Sequence, residues 1–158
     1  MAYTQAPPMT EEETESLLKE AQIARFCSLN EDGTIHAAPV WYKYENKRII
    51  VGTPEASRKA RNVKRNENVT ILIDVDRPPM KGVIIYGKAT VAPSPFQIPE
   101  AVSFFEKYMP TKEAEGYAKE LLKLTKWVKI TVKPERIASF DYSKDEAYMA
   151  GRGKLSTI

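Results

Sequence analysis

TIHAAPVWYKYENKRIIVGTPEASRKARNVKRNEN, residues 34–68, is the stretch whose reading decides the fold. It opens with alternation: Ile35, Ala37, Pro39 and Trp41 fall on one side of an extended chain, His36, Ala38, Val40 and Tyr42 on the other. That is a strand with two usable faces. Pro39 offers no N–H, so this strand belongs on an edge or beside a ligand. A polar turn at Glu45-Asn46-Lys47 leads into a second apolar run, which ends in Gly52-Thr53-Pro54. The basic segment from Ser57 to Arg65 then follows.

Wound as a helix, this segment sets Ala56, Ala60 and Val63 on one face and Arg58, Arg61 and Arg65 on the other. Arg58 and Lys59 fall in the first turn, where free N–H groups already give the helix end a partial positive charge. Cations have the wrong sign there unless an anion lies between them. A phosphate would accept from the N–H groups, from the hydroxyls of Thr53 and Ser57, and from both cations. Chemistry alone leaves two readings open, a solvated basic face or an anion-gripping helix start.

Outward from this stretch, strand patterns recur. Ala24–Leu29 runs into Asn30-Glu31-Asp32-Gly33, a hairpin signal. Val69–Asp74 reads as a short buried strand. In Val83–Val91 the small residues Gly87 and Ala89 share a face with Val83, Ile85 and Val91, which marks a close approach of backbone or ligand. Two more strands are expected at Trp127–Val132 and Ile137–Phe140. Helices are expected from Thr10, with a Thr10/Glu13 capping box and buried Leu17, Leu18 and Ala21. Another should bury Ile98, Val102, Phe105 and Met109, and one capped by Thr111 should bury Ala114, Ala118, Leu121 and Leu122. Many strands and few helices predict a mainly β protein, an antiparallel barrel with peripheral helices. Residues 1–158 read as one domain, with 1–9 and 143–158 as mobile arms.

The whole chain sets bounds. Its 24 basic and 21 acidic residues leave a net charge of +3, too mild for a nucleic-acid binder. No apolar run is long enough for a membrane span, and the start MAYTQAPPMTEEE lacks the apolar centre of a signal peptide. The single Cys27 allows no internal disulfide, so a soluble cytoplasmic protein is expected. His36 is the only histidine, so a His-based triad or metal site could be built within the chain only around it, and on a strand it reads as a structural residue. Gly151-Arg152-Gly153-Lys154 lacks the length and flanking strand of a phosphate loop and reads as a tail touching a partner subunit.

HAAPVWYKYENKRIIV followed by GTPEASRKARNV resembles the pyridoxamine 5'-phosphate oxidase-like family of split β-barrels that bind flavin mononucleotide (FMN), and Tyr86 to Val91 (YGKATV) resembles a later strand of it. The resemblance implies an antiparallel split β-barrel and a homodimer with the cofactor at the subunit interface. It implies that Gly52, Thr53, Ser57, Arg58 and Lys59 grip the phosphate of FMN, and that Ala37, Ala38, Pro39, Val40, Trp41 and Tyr42 line the flavin ring. The expected activity is hydride or electron transfer to or from a small-molecule substrate. It assigns no catalytic side chain. Departures argue against pyridoxamine-phosphate oxidation itself: no histidine follows His36, Ala37 stands where the oxidase has an arginine on the ring strand, and Gly82 with Lys81 stands at its later polar ring contact. Two alternatives are a deazaflavin-dependent reductase of the same fold, whose long anionic cofactor would use Arg61, Lys64 and Arg65, and a non-catalytic flavin carrier or sensor.

Overall fold

The computed structural model describes residues 6–155, the last four of them in backbone only. Seven strands form one antiparallel sheet: β1 Ala24–Leu29, β2 Ile35–Val40, β3 Lys43–Glu45, β4 Arg48–Pro54, β5 Asn68–Asp74, β6 Lys81–Pro95 and β7 Trp127–Asp141. Their order is β2-β1-β5-β6-β7-β4-β3. The two ends of that order are consecutive in sequence, with only Trp41 and Tyr42 between β2 and β3. Such a link spans roughly 10 Å, so the sheet must curl until its first and last strands meet. The seam between β2 and β3 carries no ladder, and the barrel is therefore split. Pro39, which cannot donate to a ladder, lies on this open edge as expected.

Alternate residues point into the barrel. Ile49 and Val51, Ile71 and Ile73, Val83 and Ile85, and Ile130 and Val132 are fully buried, each worth about 1.5–3 kcal/mol of transfer from water. Helix α1 (Glu11–Glu20) adds Leu17 and Leu18 to this core, and α2 (Arg58–Arg65) adds Ala60 and Val63. Ala56 precedes α2 and is exposed rather than on its docked face. A second cluster lies outside the barrel: α3 (Ile98–Phe105) and α4 (Thr111–Leu124) bury Phe104, Phe105, Ala114 and Ala118 with Phe96, against Ile50 and Trp127. Ile98 was expected inside but is exposed; Ala101 and Phe104 hold the inward positions. Phe105 is buried as expected, and Val102 and Met109 pack against the same cluster. No helix is long and apolar enough to cross a membrane.

Local chemistry accounts for the joints. Thr10 and Glu13 form the reciprocal capping box. The Asn30–Gly33 turn places Gly33 at φ 83°, and Asn30 N–H donates to the Thr34 carbonyl at 2.8 Å. Thr111 does not cap α4: Pro110 takes that place, and the Thr111 hydroxyl donates to Glu106 at 2.9 Å. The two strands expected after Lys126 are one, because the register with β6 slips at Tyr86/Gly87 and the bulge absorbs Glu135 beside Pro134. At that slip a Cβ on Gly87 would lie 2.4 Å from the Lys133 carbonyl oxygen, so the small residue serves a close backbone approach.

The expected arms are built differently. Ala6 and Met9 are buried, the Asp141 N–H donates to the Pro7 carbonyl at 2.8 Å, and the Met9 N–H donates to Ser139 at 3.0 Å. Residues after Asp141 form a 3-10 turn, Tyr142–Lys144, and helix α5, Glu146–Leu155. Lys144 ties this end to α1 through Glu13. Residues 1–5 and 156–158 lie outside the described residues, as do the side chains of Arg152 and Lys154 in the expected partner-touching tail Gly151–Lys154.

The β3–β4 turn offers a clean stability test. Asn46 and Lys47 both have positive φ, 51° and 56°, the pairing that matches hairpin twist. Asparagine tolerates this region; lysine does so only at a cost. Lys47→Gly is expected to raise stability by about 0.5–1 kcal/mol, since the Lys47–Glu11 pair it deletes is solvent-exposed and worth little. Urea denaturation reads the change, and a lower midpoint would contradict the strain.

Candidate functional site

The end of β4 and the start of α2 form a small polar nest. Thr53 points inward from β4 and is 1% exposed. Its hydroxyl donates to the Ser57 hydroxyl at 3.0 Å and accepts from Lys59 Nζ at 3.2 Å. Ser57 is the N-cap of α2, and its side chain accepts from the Ala60 N–H at 3.3 Å. The N–H groups of Arg58 and Lys59 come before the first intrahelical bond. No acidic residue lies in the first turn. Burial pushes the Lys59 ammonium below its ordinary pKa, and no carboxylate pairs with it among the described residues. Arg58 is exposed and makes no hydrogen bond or ion pair among the described residues. Thr53, Ser57 and Lys59 are thus brought together, with Arg58 at the same helix start.

The remaining cations of α2 are committed elsewhere. Arg65 donates to the Leu29 carbonyl at 2.5 Å and to Asn62 at 3.2 Å. Lys64 pairs at 3.6 Å with Glu55, which also holds Lys126 at 3.1 Å. The neighbouring amine of Lys126 is the main cause that lowers the Glu55 carboxyl pKa. Of the three cations expected to serve a longer anionic cofactor, only Arg61 is without a partner among the described residues.

Beside this nest runs the open edge strand β2. Ala37 and Pro39 are exposed, and Ala38 and Val40 are partly so. Asn62 docks α2 against the β1–β2 hairpin, donating to Ser28 at 3.1 Å and to Asn30 at 3.0 Å. The helix start, the hairpin and the free edge of β2 therefore form one continuous surface.

Three of the expected residues play other parts. Gly52 faces away from the nest: a Cβ there would lie 3.2 Å from the Phe96 ring, so glycine lets the outer helices approach β4. Trp41 is 38% exposed, but one of its faces is stacked on Tyr108 with centroids 4.5 Å apart. Tyr42 has nothing left to offer a ligand. Its ring is buried, its hydroxyl donates to the Leu18 carbonyl at 2.7 Å, and Tyr108 Oη accepts from its N–H at 2.7 Å and donates to its carbonyl at 2.6 Å. Sequence spacing missed Tyr108 because its contact with Tyr42 reaches across 66 positions. Lys107 was missed for the same reason. Its Nζ sits 3.7 Å over the Tyr42 ring and donates to the carbonyls of Ala21 and Tyr42, and burial lowers its pKa to about 8.

Comparison with known proteins places this architecture. A conserved hypothetical protein from Mycobacterium tuberculosis is 23% identical with a TM-score of 0.75, covering 91% of this chain and 91% of that one. An FAD-binding protein from Mesorhizobium loti is 14% identical with a TM-score of 0.61, covering 86% of this chain and 97% of that one. An F420 reductase is 20% identical with a TM-score of 0.62, covering 81% of this chain and 98% of that one. At such identities the likeness is one of fold. No curated protein matches the sequence. Residues 10–137, from the cap of α1 through all but the end of β7, match the family described as pyridoxamine 5'-phosphate oxidase. The chain belongs to the pyridoxamine 5'-phosphate oxidase family.

Proposed function

We propose that the chain is an FMN-dependent oxidoreductase that acts on a small molecule as a cytoplasmic homodimer. The observation that carries the reading is Lys59: a half-buried ammonium with no carboxylate partner among the described residues, held by Thr53 at a helix start that has no acid of its own. A buried cation without an anion is costly, and a phosphate would relieve that cost while accepting from Thr53, Ser57, Arg58 and two free N–H groups. The donor set fits a phosphate. The open edge of β2 offers main-chain groups to the polar rim of a ring lying along Ala37–Val40. When bound, the flavin would supply the hydride or electron transfer; this chain's part is to bind, orient and shield it.

An F420 reductase stands among the similar folds, so a deazaflavin is the alternative cofactor. The bonds of Lys64 and Arg65 favour the compact phosphate instead, because a long anionic tail along α2 would have to break them. For the homodimer, exposed Ile35 and Ile137 lend support, as does a groove of about 490 Å3 lined by Cys27, Ile35, Thr70, Tyr86 and Glu135 on the outer sheet face. A second copy would cover such apolar surface and the open edge.

Flavin fluorescence titration tests the assignment. Lys59→Ala is expected to weaken FMN roughly ten- to a hundredfold, the loss of one charge-assisted bond at about 1.5–3 kcal/mol, and Arg58→Ala in the same direction. Without ligand both variants should melt no lower than the parent, since each relieves a cation at the positive end of α2. Arg65→Ala should do the reverse, lowering the melting temperature while leaving FMN affinity nearly unchanged. Tight F420 binding with no FMN binding would replace the cofactor. FMN binding unchanged in Arg58→Ala and Lys59→Ala would refute the phosphate site.

A further inference from the structure

We propose that His36 is a further ligand of the anion held at the first turn of α2, and that a phosphate-bearing cofactor binds there with uptake of a proton by the His36 imidazole. The inference rests on the reading of that turn as a phosphate site.

The placement follows from register. His36 is paired across the β1–β2 ladder with Ser28, and directly paired residues of two strands project from the same face of the sheet. The Ser28 side chain is buried against α2, where Asn62 donates to it at 3.1 Å. One turn before Asn62 on the same helix are Arg58 and Lys59. His36 therefore stands beside the start of α2, partly exposed, with no hydrogen-bond partner for its ring among the described residues. A strand histidine in this setting has no structural bond to explain it.

Burial first, and then the charges around it, disfavour the imidazolium. From α2, Arg58 and Lys59 both act on the imidazole and, after burial, are the causes that hold its pKa below the ordinary value. The hairpin turn carries Glu31 and Asp32; the Asp32 carboxylate accepts from the Thr34 N–H at 3.0 Å and hydroxyl at 2.6 Å, and it lies in the field of Arg58. From β1 the facing residue is Ser28, which carries no charge. Without an anion, then, His36 is neutral near pH 7, and the nest avoids a third cation. An anion reverses each sign: it offsets Arg58 and Lys59 and attracts the imidazolium directly. The proton comes from solvent. Linkage makes the effect reciprocal, so acidification through the bound-state pKa tightens binding by the factor that binding raises the pKa.

Because the chain has one histidine, the imidazole proton resonances of untagged protein report His36 alone. Their pH titration is measured without ligand and at FMN saturation. The midpoint is expected to rise by about one unit or more on saturation, the usual effect of an opposite charge close by. Calorimetric FMN titrations near pH 7 in two buffers of different ionisation heat should show proton uptake in the parent that is diminished in His36→Gln. That variant should bind FMN several-fold more weakly than the parent near pH 6 and almost equally near pH 8. Protonation of the FMN phosphate itself is common to both proteins and cancels in the comparison. An imidazole midpoint that does not move at saturation overturns the proposal and leaves the α2 phosphate site standing. Failure of the parent to bind FMN at any pH overturns both. Should His36→Gln not fold, the resonance titration of the parent decides alone.

Discussion

Tyr42→Ala is expected to cost about 3–5 kcal/mol of folding stability, the range for removing a large buried ring. The ring is fully buried in the main core. It also ties the seam to two other elements: its hydroxyl closes the last turn of α1 at Leu18, and the α3–α4 connection seats Lys107 on its face and Tyr108 on its main chain. Truncation empties the barrel where its first and last strands meet and frees Lys107 from its seat. Tyr42→Phe keeps the ring and strands one carbonyl, so about 1–2 kcal/mol is expected. Urea unfolding at constant slope separates the two. A loss under 1 kcal/mol for Tyr42→Ala would mean that the seam is not held by this ring. FMN affinity of Tyr42→Phe should equal that of the parent, because none of the groups of Tyr42 faces the nest.

Much of this was legible in the sequence wherever local chemistry decides. The Asn30–Gly33 turn and the Thr10/Glu13 box each depend on residues within a few positions of one another, and each forms as the spacing predicts. The inward alternation of Val83, Ile85, Gly87 and Ala89 was readable for the same reason. What sequence could not show is long-range. Pro134 reads as the end of a strand, yet the bulge at Glu135 carries β7 past it. Trp41 and Tyr42 read as a pair lining a ligand, and only folding reveals that Tyr108 and Lys107 occupy them from the other side of the second cluster. The row of cations on α2 looks uniform in sequence. In the fold it divides into Arg65 and Lys64, which are bonded, and Arg58, Lys59 and Arg61, which are not paired with any acid among the described residues; of these three, Arg58 and Lys59 stand in the first turn.

That division gives the candidate site its chemical character. A helix with five equivalent cations would attract any polyanion. Two cations at a helix start, backed by two hydroxyls and free N–H groups, select a compact terminal phosphate. With a phosphate bound there, the neighbouring β2 edge would meet whatever that phosphate carries. Because Arg25 and Ala24 hold the inner edge of β2 through Pro39 and Val40, the strand is a fixed rail rather than a loop, and a ring along it would be held in one orientation.

The most direct test is the affinity of FMN against riboflavin, which has the same ring and lacks the phosphate. Two or more charge-assisted bonds at about 1.5–3 kcal/mol each should favour FMN by at least about a hundredfold. In Lys59→Ala that advantage should shrink by roughly tenfold or more while riboflavin affinity stays at the parent value. Equal affinity of the parent for FMN and riboflavin would contradict a phosphate grip at Thr53, Ser57, Arg58 and Lys59.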